Sequence, residues 1–507
     1  MVYFPKSSLA IRFRPVLFRV AAIAAGILVL AAVELLCVLF GWGSTSGSDD
    51  PFDGFVATRP LFVESQDRKH LEVSPARRGF FEHDFFSREK APEEFRIFVF
   101  GGSTVQGAPW SIETSFTRFL ELALNRVEPN RKWKVVNCGG ISYATFRLLP
   151  LMSECLKYQP DLYIFCEGHN EFLEEVSYQP LLKNGDTLNL AYVTFSRFRT
   201  FQLLCEVLGN NQSLGGRRNS FGIKSNDDEV DAILDHAGGL QSYHRDDQRA
   251  EFIANRFRSC LRQMISSCGA AGVPLLIIQP PSALRDSPPF KSEFSTTDRK
   301  EQELIETLIR DAAAQIAENP AASVQQLKLA VEKDPRYAFA WYRLGDALLT
   351  AGLIDDASAS LIRARDEDVC PLRMTSALEQ AMQEEVSAAS AEFLNAHAVI
   401  ADHSENRITG LPLLVDHVHP SFAGHQLIAL SVLHWMVQKE YVTIPEITGL
   451  EKGAAAALLR EQTLSLFSSH LQELNSLYFL KGQRRLKDQK GWASGHAEEP
   501  PMVDEPD

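Results

Sequence analysis

One stretch, FRIFVFGGSTVQ at residues 95–106, limits what this chain can fold into more than any other. It contains an uninterrupted apolar run, Ile97–Phe100, which predicts a short strand buried on both faces. Two glycines and Ser103 follow directly. A serine at the carboxyl end of a buried strand, after two residues without side chains, is well placed to act as a nucleophile. The alternative is an ordinary strand-to-helix turn in which the serine or Thr104 caps the helix.

Further short apolar runs alternate with segments of helical spacing. The other predicted strands are Val135–Val136, Leu162–Cys166, Leu275–Ile278 and Ala398–Ala401. Strands that alternate with helices predict a parallel sheet covered by helices on both faces, and functional residues of such sheets collect at the carboxyl ends of the strands. The turns that contain Ser103, Ser142 and Asn170 each follow a predicted strand.

A loop near the C-terminus, DHVHP at residues 416–420, precedes an apolar helix that runs to about Val437. An aspartate three residues before a histidine can accept the imidazole Nδ1–H and leave Nε2 facing a serine. By this spacing His419 is the partner of Asp416, and His417 is not. One loop histidine is a weak signal, so the prediction depends on all the turns together.

Four of these segments, taken in order, resemble the sequence blocks of the SGNH (GDSL-like) hydrolase superfamily. They are Gly101-Gly102-Ser103, Asn137–Ser142, Gly168–Glu171 and Asp416–Pro420. The resemblance covers about residues 94–300 and 373–440, and it implies a three-layer α/β/α flavodoxin-like parallel sheet. Ser142 stands where the family usually has glycine, and a backbone donor survives that change provided the turn tolerates a Cβ.

The resemblance implies a role for each matching residue. Ser103 would be the nucleophile, His419 the general base and Asp416 the carboxylate that orients the histidine. The Asn170 side chain and the backbone N–H groups of Ser103 and Ser142 would form the oxyanion hole. The implied reaction is cleavage of a carboxylic acetyl or acyl ester through an acyl-enzyme, with no metal or organic cofactor.

Three arginines adjoin these blocks, namely Arg147, Arg285 and Arg373. A guanidinium group binds carboxylates and phosphates through two parallel hydrogen bonds, which predicts a clamp for an anionic substrate. The alternative is that the three arginines face solvent or form ion pairs within the protein.

An apolar segment near the N-terminus predicts membrane attachment. Val20–Phe40 is apolar apart from Glu34 and a glycine, and it is long enough to cross a bilayer core. Basic residues precede it and aspartates follow it, so the positive-inside rule makes residues 1–19 cytoplasmic and leaves the rest outside the cytoplasm, which for a bacterial inner-membrane protein is the periplasmic side. A cleaved signal peptide is the alternative, although this run is longer than a usual h-region.

The region before Asp416 contains more chain than one helix and one strand require. Several of its residues fit the 34-residue tetratricopeptide pattern of helix pairs, including Trp341–Gly345, Leu348, Ala357, Leu361 and Pro371. This pattern predicts a helical insertion at residues 301–372 that docks on the hydrolase part and can bind a protein partner. A membrane anchor with such an insertion resembles a bacterial envelope subgroup of the superfamily.

The other segments complete the predicted organisation. Residues 41–93 are a linker or cap, residues 441–481 are C-terminal helices and residues 482–507 are a disordered tail. A formal net charge of −14 argues against a nucleic-acid partner, because phosphate contacts need clustered lysines and arginines. Eight cysteines without a CxxC pair give no sign of a metal site.

Two other functions fit parts of the pattern. An O-acyltransferase would pass the acyl group to a sugar hydroxyl instead of water, since a triad does not specify the acceptor. A protein-interaction scaffold would use the tetratricopeptide unit and keep only a vestigial pocket, and the presence of Ser103, His419, Asp416 and Asn170 counts against it. The predicted substrate is an ester on an envelope glycan or lipid.

Overall fold

The computed structural model describes residues 26, 32–37, 60–177, 200, 239–444 and 452–493. The chain divides into two units, Met1–Arg59 with Leu181–Lys224, and Pro60–Pro180 with Ser225–Asp507. In the described part of the first unit, the Glu34 carboxylate accepts a hydrogen bond from the Thr200 N–H at 2.9 Å. None of the helices within the described ranges combines the length and the hydropathy that crossing a bilayer requires. The predicted span at residues 20–40 lies mostly outside those ranges.

The second unit contains a parallel sheet, a small antiparallel sheet and a series of α-helices. The strands are β1 (Phe62–Glu64), β2 (His70–Val73), β3 (Phe85–Ser87), β4 (Glu94–Gly101), β5 (Lys132–Gly139), β6 (Leu162–Cys166), β7 (Leu275–Gln279) and β8 (Glu392–Asn395). The helices are α1 (Ser103–Gln106), α2 (Phe116–Val127), α3 (Thr145–Cys155), α4 (Glu171–Ser177), α5 (Asp247–Ala271), α6 (Arg299–Gln315), α7 (Pro320–Lys333), α8 (Ala338–Thr350), α9 (Ile354–Asp366), α10 (Ser376–Ala389), α11 (Ala396–Asp402), α12 (Phe422–Gln438), α13 (Lys452–Glu473) and α14 (Ser476–Ala493).

Five strands form the parallel sheet in the order β5-β4-β6-β7-β8. Numbered from β4, this order is 2-1-3-4-5, which is the flavodoxin-like order. The predicted α/β class with a parallel sheet is therefore confirmed. The register places Gly101 of β4 beside Gly139 of β5 and Cys166 of β6. The turns after these three strands consequently leave the sheet at the same edge.

Residues of β4 alternate between two apolar cores. Ile97 and Val99 join a core that includes residues of α2 and α12. Phe98 and Phe100 join a second core that includes residues of α3, α5 and α10. Helices therefore cover both faces of the sheet. Strands β1 and β3 each add a phenylalanine to the second core, so the segment predicted as a linker or cap is folded from residue 60 onward.

Helices α6 to α9 pack around a core of their own. Leu284 and Ile408 join this core, so the helices rest on the loop after β7 and on the chain that leads to residue 416. Gly345 in α8 lies so close to α9 that a Cβ there would be 2.6 Å from the Leu361 side chain. The structure thus contains closely packed helices where the insertion is predicted, and their assignment as a tetratricopeptide unit stays a prediction.

The last strand differs from its prediction. Strand β8 ends at Asn395, whereas Ala398–Ala401 was expected to be a strand and instead lies in α11. The Asn395 side chain accepts a hydrogen bond from the Ala398 N–H at 2.8 Å and so caps the helix. The prediction was wrong because it rested on the apolar run alone and did not take into account that Asn395 can cap a helix.

The predicted C-terminal disorder is also wrong for residues 482–493, because α14 continues through them. The Arg485 guanidinium donates to the Trp110 carbonyl at 2.7 Å, and a Cβ on Gly482 would overlap the ring of Trp110. Phe479 in the same helix lies edge-on to Phe422, with 5.8 Å between ring centroids. A polar segment is ordered here by aromatic residues that other parts of the chain supply.

Candidate active site

Ser103 begins α1 directly after the two glycines that follow β4. A Cβ on Gly101 would overlap the Cys166 carbonyl oxygen, and a Cβ on Gly102 would overlap a carboxylate oxygen of Glu167. The turn before the serine therefore packs directly against the end of β6, which only residues without side chains allow. Ser103 itself is half-buried, and it lies at the edge of the sheet where the turns after β4, β5 and β6 leave.

Ser103 lies in a continuous chain of hydrogen bonds with His419 and Asp416. The Ser103 Oγ is 2.7 Å from His419 Nε2, and His419 Nδ1 is 2.6 Å from Asp416 Oδ2. A carboxylate only accepts hydrogen bonds, so Nδ1 carries the proton and Nε2 is left to accept the serine proton. The structure thus brings together the three predicted residues, although Ser103 and His419 are 316 positions apart in the sequence.

The Asp416 carboxylate is organised by its own loop. Its Oδ1 accepts the backbone N–H groups of Val418 at 2.8 Å and His419 at 2.7 Å. Burial alone would raise the pKa of this carboxyl, but the charges of His419 and His417 and the hydrogen bonds from His419 outweigh burial. The pKa of Asp416 therefore lies well below its usual value, and an ionised carboxylate holds the imidazole.

His417 lies outside this chain of hydrogen bonds. Its ring stands edge-on to Phe290 with 4.8 Å between centroids, and its Nδ1 is 3.7 Å from Asp416 Oδ1, too far for a hydrogen bond. Burial lowers the pKa of His417 to about 4, so the ring is neutral at neutral pH. Asp416 pairs with His419, as its spacing in the sequence predicts.

The predicted oxyanion donors lie on three turns, and the Asn170 side chain contacts the other two. The Asn170 side-chain amide donates to the Tyr143 carbonyl at 3.1 Å and lies against the turn at Gly102, where a Cβ would be 2.5 Å from the amide nitrogen. In the part of the chain that the structure describes, the backbone N–H groups of Ser103 and Ser142 have no hydrogen-bond acceptor. Ser142 has φ 59°, so the turn accommodates a Cβ in the left-handed conformation that favours glycine.

Glu167 is a buried residue of this site that the sequence interpretation missed. Its Oε1 accepts the backbone N–H groups of His169 at 2.8 Å and Asn170 at 3.0 Å, and so shapes the turn that carries the amide donor. Burial raises the pKa of Glu167 to about 7, although the backbone hydrogen bonds oppose this shift. The one sign in the sequence is a charged residue directly after the apolar run of β6.

Two of the three arginines predicted to bind an anion are engaged elsewhere. The Arg373 guanidinium is buried and donates to the Ala283 carbonyl at 3.0 Å and the Ser287 carbonyl at 2.8 Å. Arg285 donates to the Glu405 carboxylate at 2.6 Å. The structure therefore gives both arginines a bracing role between segments of the protein, which differs from the predicted anion clamp. A buried guanidinium needs partners within the protein, because losing water is costly for a charge.

Arg147 is also buried, but it contacts the predicted oxyanion loop. Its Nε lies 2.7 Å from a carboxylate oxygen of Glu174, and its Nη2 donates to the Ser142 carbonyl. The guanidinium carbon is 3.9 Å from the centroid of the Tyr143 ring. These contacts differ from the predicted substrate clamp, since they are all made with other groups of the protein.

Comparisons with known proteins add little to this geometry. No family model and no curated protein matches the sequence. The chain is similar to solved structures of LAE5, an alpha/beta hydrolase enzyme from the metagenome of Lake Arreo, Spain, of the acetyl xylan esterase AlAXEase, and of a lipase/acylhydrolase from Enterococcus faecalis. Their identities to this chain are 11%, 10% and 12%, and their TM-scores are 0.31, 0.30 and 0.30. The matches cover 68%, 67% and 70% of this chain and 96%, 99% and 100% of those chains. Similarity this low says nothing about the reaction, which depends on the geometry of the site.

Proposed function

We propose that this chain is a serine esterase of the SGNH type that cleaves a carboxylic ester through an acyl-enzyme. The observation that supports this most is the continuous chain from Ser103 Oγ through His419 to Asp416, with distances of 2.7 and 2.6 Å. A serine hydroxyl bonded to an imidazole that an ionised carboxylate orients is the arrangement that nucleophilic catalysis requires. A scaffold with a vestigial pocket has no need of it.

Acylation follows from the positions of these groups. The Ser103 Oγ attacks the ester carbonyl carbon as its proton passes to His419 Nε2, and Asp416 stabilises the imidazolium that forms. The carbonyl oxygen becomes an oxyanion, and we propose that the Ser103 N–H, the Ser142 N–H and the Asn170 amide bind it. When the tetrahedral intermediate collapses, the bond to the alcohol oxygen breaks and His419 returns the proton to the leaving alcohol.

Deacylation repeats these steps with a second nucleophile. Water attacks the acyl carbon with His419 as general base, and the free acid and the Ser103 hydroxyl are released. Hydrolysis needs no second binding site, so we propose water as the acceptor. An assay with an excess of an acceptor sugar, which compares acyl transfer with release of free acid, separates an esterase from an O-acyltransferase.

The location and the helical insertion belong to the same proposal. The apolar run at residues 20–40 and the charge asymmetry around it support a single span with the site on the periplasmic side, facing an envelope glycan or lipid ester. Alkaline phosphatase fused after Phe40 is expected to be active, and an inactive fusion beside an active cytoplasmic reporter would reverse the orientation. The 34-residue pattern supports a tetratricopeptide-like insertion at residues 301–372 that binds a protein.

A fluorophosphonate probe tests the central claim, because it reacts covalently with activated serines. We expect the probe to label the solubilised full-length chain at Ser103, as located by peptide mass mapping. Labelling should be lost in Ser103→Ala and in His419→Ala, and it should persist in His417→Ala. No labelling of the folded wild type, or labelling of a different serine, would contradict the proposal.

A further inference from the structure

The loop between β5 and α3, residues 140–144, has hydrogen bonds on nearly every peptide. The bonds are Ile141 N–H to Phe80 O at 2.9 Å, Tyr143 N–H to Gly140 O at 3.2 Å, Asn170 Nδ2–H to Tyr143 O at 3.1 Å and Ala144 N–H to Glu174 Oε2 at 2.8 Å. Among the described residues, the peptide that joins Ile141 to Ser142 is the exception within this loop. Its N–H is the one proposed to bind the oxyanion.

The backbone of Ser142 is in a strained conformation, so its N–H can serve as an oxyanion donor only if other groups hold the loop in place. Ser142 has φ 59°, where glycine is comfortable and a residue with a Cβ is strained. Strain of this kind is relieved by rotation of the adjoining peptides, and such a rotation would change the direction of the Ser142 N–H. Such strain persists only where the surroundings hold the backbone in place.

Arg147 and Glu174 supply that constraint from both sides of the strained residue. Arg147 Nη2 donates to the Ser142 carbonyl, and its Nε pairs at 2.7 Å with Glu174 Oε2. The same carboxylate oxygen accepts the Ala144 N–H at 2.8 Å. Both side chains are 1% exposed, and the guanidinium lies 3.9 Å from the Tyr143 ring centroid. A planar guanidinium fixed at several atoms defines the direction of the peptide that it binds.

We propose that Arg147 and Glu174 are positioning residues that hold the Ser142 peptide so that its N–H stays directed into the oxyanion hole. Neither side chain touches the substrate. They act through the backbone of residues 142–144, which lets this chain carry serine at a position whose conformation favours glycine. The assignment rests on the proposed esterase function, since an oxyanion hole has meaning only for such a reaction.

Two variants and one matched control test the assignment in the purified full-length chain. Arg147→Lys keeps the positive charge but loses the planar fork, and Glu174→Gln keeps the shape but loses the charge. Arg365→Lys is the control, because Arg365 of α9 is 2% exposed and pairs at 2.7 Å with Glu379 of α10. All three substitutions weaken a buried ion pair, but only the first two loosen residues 142–144.

The measurements are kcat and KM for p-nitrophenyl acetate and the affinity for phenylboronic acid, which forms a tetrahedral adduct on an activated serine. We expect Arg147→Lys and Glu174→Gln to lower kcat by about 10- to 100-fold with KM changed by less than about threefold, since an oxyanion donor acts mainly in the transition state. Boronate affinity should fall in parallel. Arg365→Lys should lower the melting temperature and leave kcat unchanged.

A folded Arg147→Lys protein with wild-type kcat and wild-type boronate affinity would overturn the assignment. If that variant fails to fold, Glu174→Gln decides by the same measurements. An equal loss of kcat in Arg365→Lys would also overturn it, because the effect would then belong to general destabilisation. A folded wild-type chain without esterase activity or boronate binding would instead overturn the proposed function, and so the two failures are distinguishable.

Discussion

The two halves of the candidate active site are held in place in different ways. On the histidine side, both oxygens of the Asp416 carboxylate are bonded within residues 416–419. On the oxyanion side, the loop at residues 140–144 is held by Asn170 and Glu174, which follow β6 in the chain, and by Arg147 of α3. The first half is a local structure, and the second exists only when several elements have come together.

The same contrast is seen in the carboxyl groups. The pKa of Asp416 lies well below its usual value, because its histidine contacts outweigh burial. Burial raises the pKa of Glu167 and of Glu171, each to about 7, at the end of β6 and the start of α4. At neutral pH the Asp416 carboxyl group is therefore ionised, while Glu167 and Glu171 on the oxyanion side have pKa values close to that pH. Substitutions in the two halves should therefore have different effects on activity and on the pH dependence of stability.

The largest effect is expected on the histidine side. Ser103→Ala and His419→Ala should each lower kcat for p-nitrophenyl acetate by about 10⁶-fold, because nucleophile and base act as one unit. The double variant should be hardly slower than either single one. Steady-state kinetics of purified, folded protein provide the measurement.

His417→Ala is the control for this prediction and should retain most activity, since the ring contacts Phe290 and not the serine. Wild-type turnover in Ser103→Ala would exclude the mechanism. Loss of activity in His417→Ala with retention in His419→Ala would show that the other histidine is the base.

A smaller loss is expected on the oxyanion side. Asn170→Ala should cost about 2.7–4 kcal/mol of transition-state stabilisation, if the amide is an oxyanion donor. The value follows from the ratio of kcat/KM between wild type and variant, with most of the change in kcat. Because Asn170 also donates to the Tyr143 carbonyl, the variant should in addition show faster hydrogen exchange in residues 140–144. A change in KM alone would mean that Asn170 only binds substrate.

The helical insertion contributes no residue to either half of the site, so substitutions there should change stability without changing the catalytic groups. Leu361 is 1% exposed in the core of α6 to α9, so Leu361→Ala should lower the free energy of unfolding by about 2–5 kcal/mol. Trp341 is half-buried at the edge of that core, and its indole donates to the Pro335 carbonyl at 2.8 Å. Trp341→Ala should therefore cost less than Leu361→Ala in thermal unfolding. An equal or larger loss would mean that Trp341 is part of the core.

The last difference is expected in the pH dependence of stability. The pKa of Glu167 is raised from 4.5 to about 7, so the folded state holds its proton in a range where the unfolded state has lost it. Its contribution to stability is fully present below about pH 4.5 and is lost as pH rises through 7, an effect of roughly 2–4 kcal/mol. Glu167→Gln keeps an acceptor for the backbone of residues 169–170 and does not titrate.

We therefore expect the melting temperature of Glu167→Gln to depend less on pH than that of the wild type between pH 4.5 and 8. Glu175→Gln is the control, because Glu175 is also buried but pairs with Arg256 away from the serine turn. Identical pH profiles for Glu167→Gln and wild type would show that Glu167 is ionised throughout this range.

Several features of the fold were predictable because their signals are local. The apolar run before Gly101 predicted a buried strand, and the alternation of strands and helices predicted the parallel sheet that the structure contains. The Asp416 loop was recognisable for the same reason, since the spacing from Asp416 to His419 determines which hydrogen bonds the loop can form. Local signals also misled, as at Ala398–Ala401, where a capping asparagine outweighed an apolar run.

The sequence showed that Arg147, Arg285 and Arg373 adjoin the predicted blocks, but not what each of them contacts. The sequence around an arginine does not show whether its guanidinium binds an anionic ligand or a carboxylate of the protein itself. Only the tertiary structure decided this, by burying Arg147 beside Glu174 and by placing Arg373 against two backbone carbonyls. Burial removes water from a charged group, so its partner must come from whichever segments the fold has brought near.

The residues of the candidate triad and the class of the sheet were thus determined by the sequence itself, through apolar runs, glycines and short spacings. The tertiary structure decided that Ser103 and His419, 316 positions apart, lie within hydrogen-bonding distance. It also decided that Glu167 and Glu174 shape the turns that carry the predicted donors. The physical reason is range: a turn or a strand depends on neighbours along the chain, whereas desolvation and ion pairing depend on neighbours in space.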